Sequence, residues 1–191
     1  MRVNNFSYTY DASWEEVTSA FWRKYCRSYC YVVIPIGHPG QKHSCTYVLN
    51  RYIDDEGRLI TKRLHVIYQN LPFFMRKMLG NIVTYGGEES IIDPKKKQLI
   101  IHSKNLSFTR QAAALDVSSY TVCKDDPTKT EYTKSTTTFA KIAMLMSNQI
   151  ERWYAYNEGH HFKKSIDVMN DLIFGKVNID YGLGAGSVTG P

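Results

Sequence analysis

The stretch TYVLNRYIDDEGRLITKRLHVIY, residues 46–68, decides the fold. Thr46 to Tyr52 and Leu59 to Tyr68 are rich in β-branched and aromatic residues, and Asp54-Asp55-Glu56-Gly57 between them is turn chemistry. Two such runs around a polar, glycine-bearing turn read as a β-hairpin. Working outward, the pattern recurs. Ile82 to Asp93 and Gln98 to Ser107 flank the turn Asp93-Pro94-Lys95-Lys96. Ala113 to Cys123 and Thr130 to Thr138 are joined through Asp125-Asp126-Pro127. Val3 to Tyr10 is short, aromatic and β-prone. Three hairpins and an initial strand make about seven antiparallel strands.

Helices punctuate this series. Ser13-Trp14-Glu15-Glu16 is a capping box, with Ser13 as N-cap. A helix follows to about Tyr25, its apolar positions Trp14, Val17, Phe21 and Tyr25 falling on one face. Cys26 to Lys42 contains Ile34-Pro35-Ile36-Gly37 and His38-Pro39-Gly40 and reads as an irregular loop. Leu71 to Leu79 reads as a short apolar helix between Pro72 and Gly80. Phe139 to Phe174 reads as a long helix with Gly159 as a point of break. The expected fold class is α+β: a curved antiparallel sheet of about seven strands, covered on one face by the long helix, with a cavity between them. Residues 1–174 form the domain. Residues 175–191 hold five glycines (175, 182, 184, 186, 190) and read as a flexible tail.

The composition excludes several classes. The chain has 191 residues, enough for one domain and a sizeable core. Lysine and arginine number 24 against 18 acids, so 24 − 18 gives +6, which suits an anionic partner without choosing one. No apolar run approaches the ~18 residues of a membrane span. The N-terminal stretch lacks an apolar core and carries Asp11, Glu15 and Glu16, so no cleaved targeting segment is expected. Four scattered cysteines (Cys26, Cys30, Cys45, Cys123) read as reduced thiols. No HExxH, GxSxG, P-loop or usable GxGxxG is present, and no nucleic-acid-binding signature. His160 and His161 are helical neighbours that point about 100° apart, a poor metal pair. No catalytic residue, metal or cofactor is expected.

The long helix carries more information. With Trp153 at zero, Ile142, Met146 and Ile150 form one apolar stripe with it. Continued past Trp153, that stripe reaches Asn157, His161 and Lys164 at about 40°, 80° and 20°. The apolar residues Phe162, Ile166, Met169 and Ile173 move to the opposite face. Two readings are open. The polar stripe faces water, or it faces the mouth of a cavity where its donors meet an anionic head group. Lys24, at the end of the first helix, and Arg63, in the first hairpin, are further cations open to the same two readings. Leu71, Phe73, Phe74, Met75, Arg76, Lys77 and Met78 form a brief amphipathic patch. It is either an ordinary packing helix or a lid that touches membrane.

These residues also resemble a known family. Ser13-Trp14-Glu15-Glu16-Val17 with Ala20-Phe21-Trp22-Arg23-Lys24-Tyr25 resembles the opening helix of the PRELI family. Asn50-Arg51, Asp55-Glu56-Gly57-Arg58-Leu59, Lys62-Arg63-Leu64 and Leu71-Pro72 are similar to its second and third strands leading into its lid. Glu89-Ser90-Ile91-Ile92-Asp93-Pro94 and Asn105-Leu106-Ser107-Phe108 resemble its next turn and strand. The resemblance implies a carrier in the mitochondrial intermembrane space that moves phospholipid between outer and inner membranes. It implies a lipid cavity closed by a short lid, and a small helical twin-cysteine-motif partner protein. The implied cargo is phosphatidic acid or phosphatidylserine; Ala20-Phe21-Trp22 and Ile150-Glu151-Arg152-Trp153 are closer to the phosphatidic-acid branch. The resemblance places the implied head-group contacts on Lys24, Lys164, His161 and Asn157, beside Arg63. The family's Tyr-Pro-Asn-Pro turn is missing after Tyr25, where an extension runs to Gln41. A basic scaffold that binds an anionic membrane surface or a partner, without extracting lipid, is the alternative function.

Overall fold

The computed structural model describes residues 1–25, 45–68, 83–110, 112–140 and 144–175, without the side chains of 68, 140, 144–150, 153, 154 and 157. Its elements are β1 (Arg2–Tyr10), α1 (Trp14–Lys24), β2 (Cys45–Ile53), β3 (Leu59–Tyr68), β4 (Val83–Asp93), β5 (Gln98–Asn105), β6 (Ala112–Val122), β7 (Thr130–Ala140) and α2 (Met144–Ile173). The seven strands form one curved antiparallel sheet in the order β1-β7-β6-β5-β4-β3-β2. β2 to β7 is therefore a meander of hairpins, and β1 adds to the far edge beside β7. This α+β arrangement is the one expected from the hairpin series.

The first helix begins where its cap dictates. Glu16 N donates to Ser13 Oγ at 3.3 Å, and Ser13 N donates back to Glu16 Oε2 at 2.8 Å. The Ser13→Ala variant is expected to lose about 1 kcal/mol, read from the urea midpoint at unchanged slope. The turn after β2 is shaped by Gly57, whose φ of 81° suits glycine. Asp54 Oδ1 accepts from the backbone N–H of Glu56 and Arg58, at 3.1 and 2.8 Å.

One boundary differs from the sequence reading. Phe139 and Ala140 belong to β7, not to the long helix. They pair with Ala113 and Ala112, so the ladder of β6 keeps their backbone satisfied and extended. The helix starts at Met144 and runs through Gly159 without a break. Residues 26–44, which contain the expected loop, 69–82, which contain the expected lid, and 176–191, nearly all of the expected tail, lie outside the described residues. So do Cys26 and Cys30, whereas Cys45 and Cys123 are free thiols. No described helix is long and apolar enough to cross a membrane.

Strand register builds the core. Leu59, Ile92, Leu99, Tyr120, Tyr132 and Tyr8 stand side by side across β3, β4, β5, β6, β7 and β1. This apolar row meets Trp14, Val17, Ala20 and Phe21 of α1 and Ile166, Met169 and Leu172 of α2. Tyr120 and Tyr132 stack with centroids 4.3 Å apart, and Phe162 continues the stack at 5.3 Å from Tyr132. The core thus closes one end of the concave face. Two rows further along the strands, its character changes.

Candidate functional site

At that point the register brings Arg63, Glu88, Ser103, Asp116, Thr136 and Asn4 into one line across six strands. Alternation along each strand aims all six at the same concave face as the apolar core row. The row between supplies Ser90 and Lys134. A belt of charged and hydroxyl groups therefore crosses the interior of the sheet, under α1 and α2.

Arg63 is the centre of one half. It is 1% exposed, so it is not a solvated surface charge. Its Nη1 donates to Glu88 Oε1 at 2.7 Å and to Ser90 Oγ at 2.8 Å. Its guanidinium carbon lies 4.3 Å from the Tyr25 ring centroid and 5.4 Å from that of Phe21, close enough for cation–π attraction. Its Nε and Nη2 are buried with no hydrogen-bond partner among the described residues. Glu88 Oε2 accepts from the Tyr25 hydroxyl at 2.8 Å and faces His65 Nε2 at 3.2 Å. Thr46 Oγ1 meets the other ring nitrogen of His65 at 2.9 Å, so both ring nitrogens are engaged and the ring is held in place. Burial alone would raise the Glu88 carboxyl. The hydrogen bonds of His65 and Tyr25, the electrostatic attraction of the nearby His65 ring and the Arg63 charge outweigh it, and hold the group at about 2.

Lys134 is the centre of the other half. Its Nζ reaches Glu158 Oε2 of α2 at 2.6 Å and Asp116 Oδ2 of β6 at 3.3 Å. Burial opposes its charge, but the two carboxylates raise its pKa well above the ordinary lysine value. Burial raises the Asp116 carboxyl and the Glu158 charge adds to this, while Lys134 pulls the other way.

The residues expected to bind a head group fall around this belt. Lys24, in the last turn of α1, donates from Nζ to Ser165 Oγ of α2 at 3.1 Å. Burial pulls its ammonium pKa down, and the Glu88 charge partly restores it. On α2 the buried face is Glu158, Ile166, Met169 and Leu172. Lys164 is half-buried at the flank of that face, and His161 is exposed. The protein around its ring still strips enough water to lower the His161 pKa, and the Glu158 charge raises it. Asn157 lies in α2, but its side chain is outside the described residues, as are those of Met146, Ile150 and Trp153. Ile142 and the lid positions Leu71, Phe73, Phe74, Met75, Arg76, Lys77 and Met78 also lie outside them.

Sequence reasoning missed Glu88, His65, Tyr25, Asp116, Lys134 and Glu158. A usable signal existed for the strand residues. Counting back from the turn Asp93–Gln98 places Glu88 opposite Ser103, and counting from Leu59 places Arg63 opposite Glu88. Glu158 had no such signal, because it breaks an otherwise apolar face.

A curved antiparallel sheet that grips a long helix over an inward-facing belt of charge defines this protein as an α+β domain with a polar interior. The same fold is shared by a Thermus thermophilus protein of known crystal structure, with TM-score 0.59 and 8% identity over 93% of this chain and 100% of that one. The Zhui aromatase/cyclase of Streptomyces sp. R1128 matches with TM-score 0.56 and 8% identity over 93% and 96%. At such identity the likeness is one of fold alone. The chain belongs to the PRELI-like family, whose model matches residues 15–178. Among its relatives is the ups1 homolog of Schizosaccharomyces pombe, 32% identical over 120 residues, 63% of this chain and 64% of that protein. Protein UPS2, mitochondrial, of Saccharomyces cerevisiae is 29% identical over 158 residues, 80% of this chain and 64% of that protein. The matched part thus spans less than two thirds of either relative.

Proposed function

We propose that this chain is a lipid-transfer module that carries phospholipid, phosphatidic acid in preference, between the mitochondrial outer and inner membranes. It works in the intermembrane space and catalyses no reaction. One observation carries the reading: the buried guanidinium of Arg63 keeps Nε and Nη2 without partners among the described residues on the concave face. A fork of free donors in a dry site suits a phosphate oxygen far better than it suits water. Lys24 adds a partly buried ammonium against Ser165 of α2, and in this reading Lys164, His161 and Asn157 of the same helix supply further donors. Glu88 occupies part of this fork; a head-group phosphate takes up the remaining donors. Residues 1–174 act as the carrier domain and 175–191 as a tail. The segment Leu71–Met78 touches the bilayer, and a small helical twin-cysteine-motif protein stabilises the carrier between membranes.

The test is transfer of labelled phosphatidic acid between donor and acceptor vesicles, with that small partner present. Transfer no faster than the protein-free blank sinks the proposal. Salt-sensitive vesicle binding without lipid extraction would establish the basic-scaffold alternative. In the same assay Lys164→Glu is expected to slow transfer roughly tenfold or more, since a charge-assisted hydrogen bond contributes about 1.5–3 kcal/mol. Far-UV circular dichroism should be unchanged. An unaltered rate removes Lys164 from the site.

A further inference from the structure

A second cationic site lies at the β1 edge of the sheet, away from Arg63 and Lys24. A groove of about 680 Å³ opens between the start of β1 and the N-terminal half of α2, lined by Arg2, Asn4, Phe6, Arg152 and Tyr156 among others. Arg2 and Arg152 are both exposed, and neither has an ion-pair partner among the described residues. Glu151, the acid beside Arg152, faces the Met1 amine at 3.4 Å. The side-chain nitrogen of Asn4 is shielded from solvent and has no partner among the described residues. Tyr156 is 68% exposed and Val3 50%, so the rim is apolar.

The position of the groove matters as much as its charge. Arg2 pairs with Thr138 near the end of β7, and Thr138 with Ala114 near the start of β6. That is the end of the sheet at which β3 ends and β4 begins, opposite the packed core. Two guanidinium forks and an amide donor recognise a phosphate, and exposed tyrosine and valine beside them favour the bilayer interface over water. We propose that this groove docks the phosphate head group of a phospholipid still seated in an anionic membrane. The proposal rests on the reading that the chain visits such a membrane, but it does not involve Arg63, Lys24 or Lys134; of the interior belt it shares Asn4 alone. Arg2 and Arg152 hold this end of the sheet against the membrane surface while cargo passes.

The experiment is flotation with phosphatidylcholine vesicles that contain phosphatidylglycerol. Each basic residue near an anionic surface contributes several-fold, so the double variant R2A/R152A should bind roughly 30-fold more weakly. K95A/K96A removes the same charge from the turn between β4 and β5, at the far end, and should bind nearly as the unaltered protein does. Equal losses in both variants overturn the proposal, because net charge alone would then explain binding. An unchanged R2A/R152A overturns it as well. Titration with inorganic phosphate at matched ionic strength, read from arginine side-chain NMR signals, supplies the last arm. Saturable binding at Arg2 and Arg152 without vesicles reassigns the groove to free phosphate and overturns membrane docking. R2A/R152A should still carry phospholipid in native mass spectra. Loss of bound lipid from the unaltered protein would count against the carrier reading and leave this test intact.

Discussion

Arg63→Ala is expected to destabilise the protein by about 3–5 kcal/mol, the range for removing one partner of a buried pair. The side chain is fully buried, and Glu88 opposite it is nearly so. Alanine leaves that carboxylate with His65 and Tyr25 but without its guanidinium, and opens a void beneath the aromatic rings of Tyr25 and Phe21. Urea denaturation followed by tryptophan fluorescence measures the loss. The R63M/E88L double variant removes both charges at similar volume and should recover much of the stability. A double variant as unstable as R63A would show that packing, not the orphaned charge, dominates.

The same pair sets an acid limit for the unaltered protein. Glu88 is held at about 2, below its ordinary 4.5. A group with a depressed folded pKa contributes stability that is complete above the unfolded value. That contribution falls away as pH drops from 4.5 toward 2. The unfolding free energy should therefore decline across that window. In E88Q this part of the decline should be absent, and an identical slope would argue against the assignment.

Lys134→Met is the second large effect, also about 3–5 kcal/mol at neutral pH. Its ammonium is the cation shared by Glu158 and Asp116. Without it, two carboxyl groups face each other in a buried site, and the Asp116 pKa, already raised, rises further. The pH dependence of this group is opposite in sign to that of Glu88, and the variant enlarges it. A carboxyl whose folded pKa lies above its unfolded value binds an extra proton in the native state, so stability increases as pH falls through the folded pKa. K134M should thus regain more stability between neutral and mildly acidic pH than the unaltered protein does. Denaturation midpoints that fall together on acidification would overturn this account.

The chain itself shows why some of this was legible in advance and some was not. The capping box Ser13–Glu16 and the turn Asp54–Gly57 are local devices whose partners lie within four residues, so their geometry is written where they stand. The strand sequences are equally local, because alternation and β-branching act on neighbours. The end of β7 was misread because Phe139 is extended only by virtue of Ala113 on another strand. The face of α2 was read correctly for Ile166 and Met169, which are buried, but Glu158 sits on that same face. Helical periodicity alone gives no reason for an acid there. The reason is Lys134, 24 positions away on β7.

Sequence alone determined the order of hairpins and helices, the surplus of positive charge, and the resemblance to a family. These depend on near neighbours and on composition, which folding does not alter. The tertiary structure alone decided which charges are sealed inside. Arg63 and Lys24 look alike as surface cations in a string of letters. Register places one opposite Glu88 under aromatic rings, while helix packing places the other against Ser165. Burial is set by what the rest of the chain folds over a residue, and a charge is stable there only beside partners that long-range pairing brings to it.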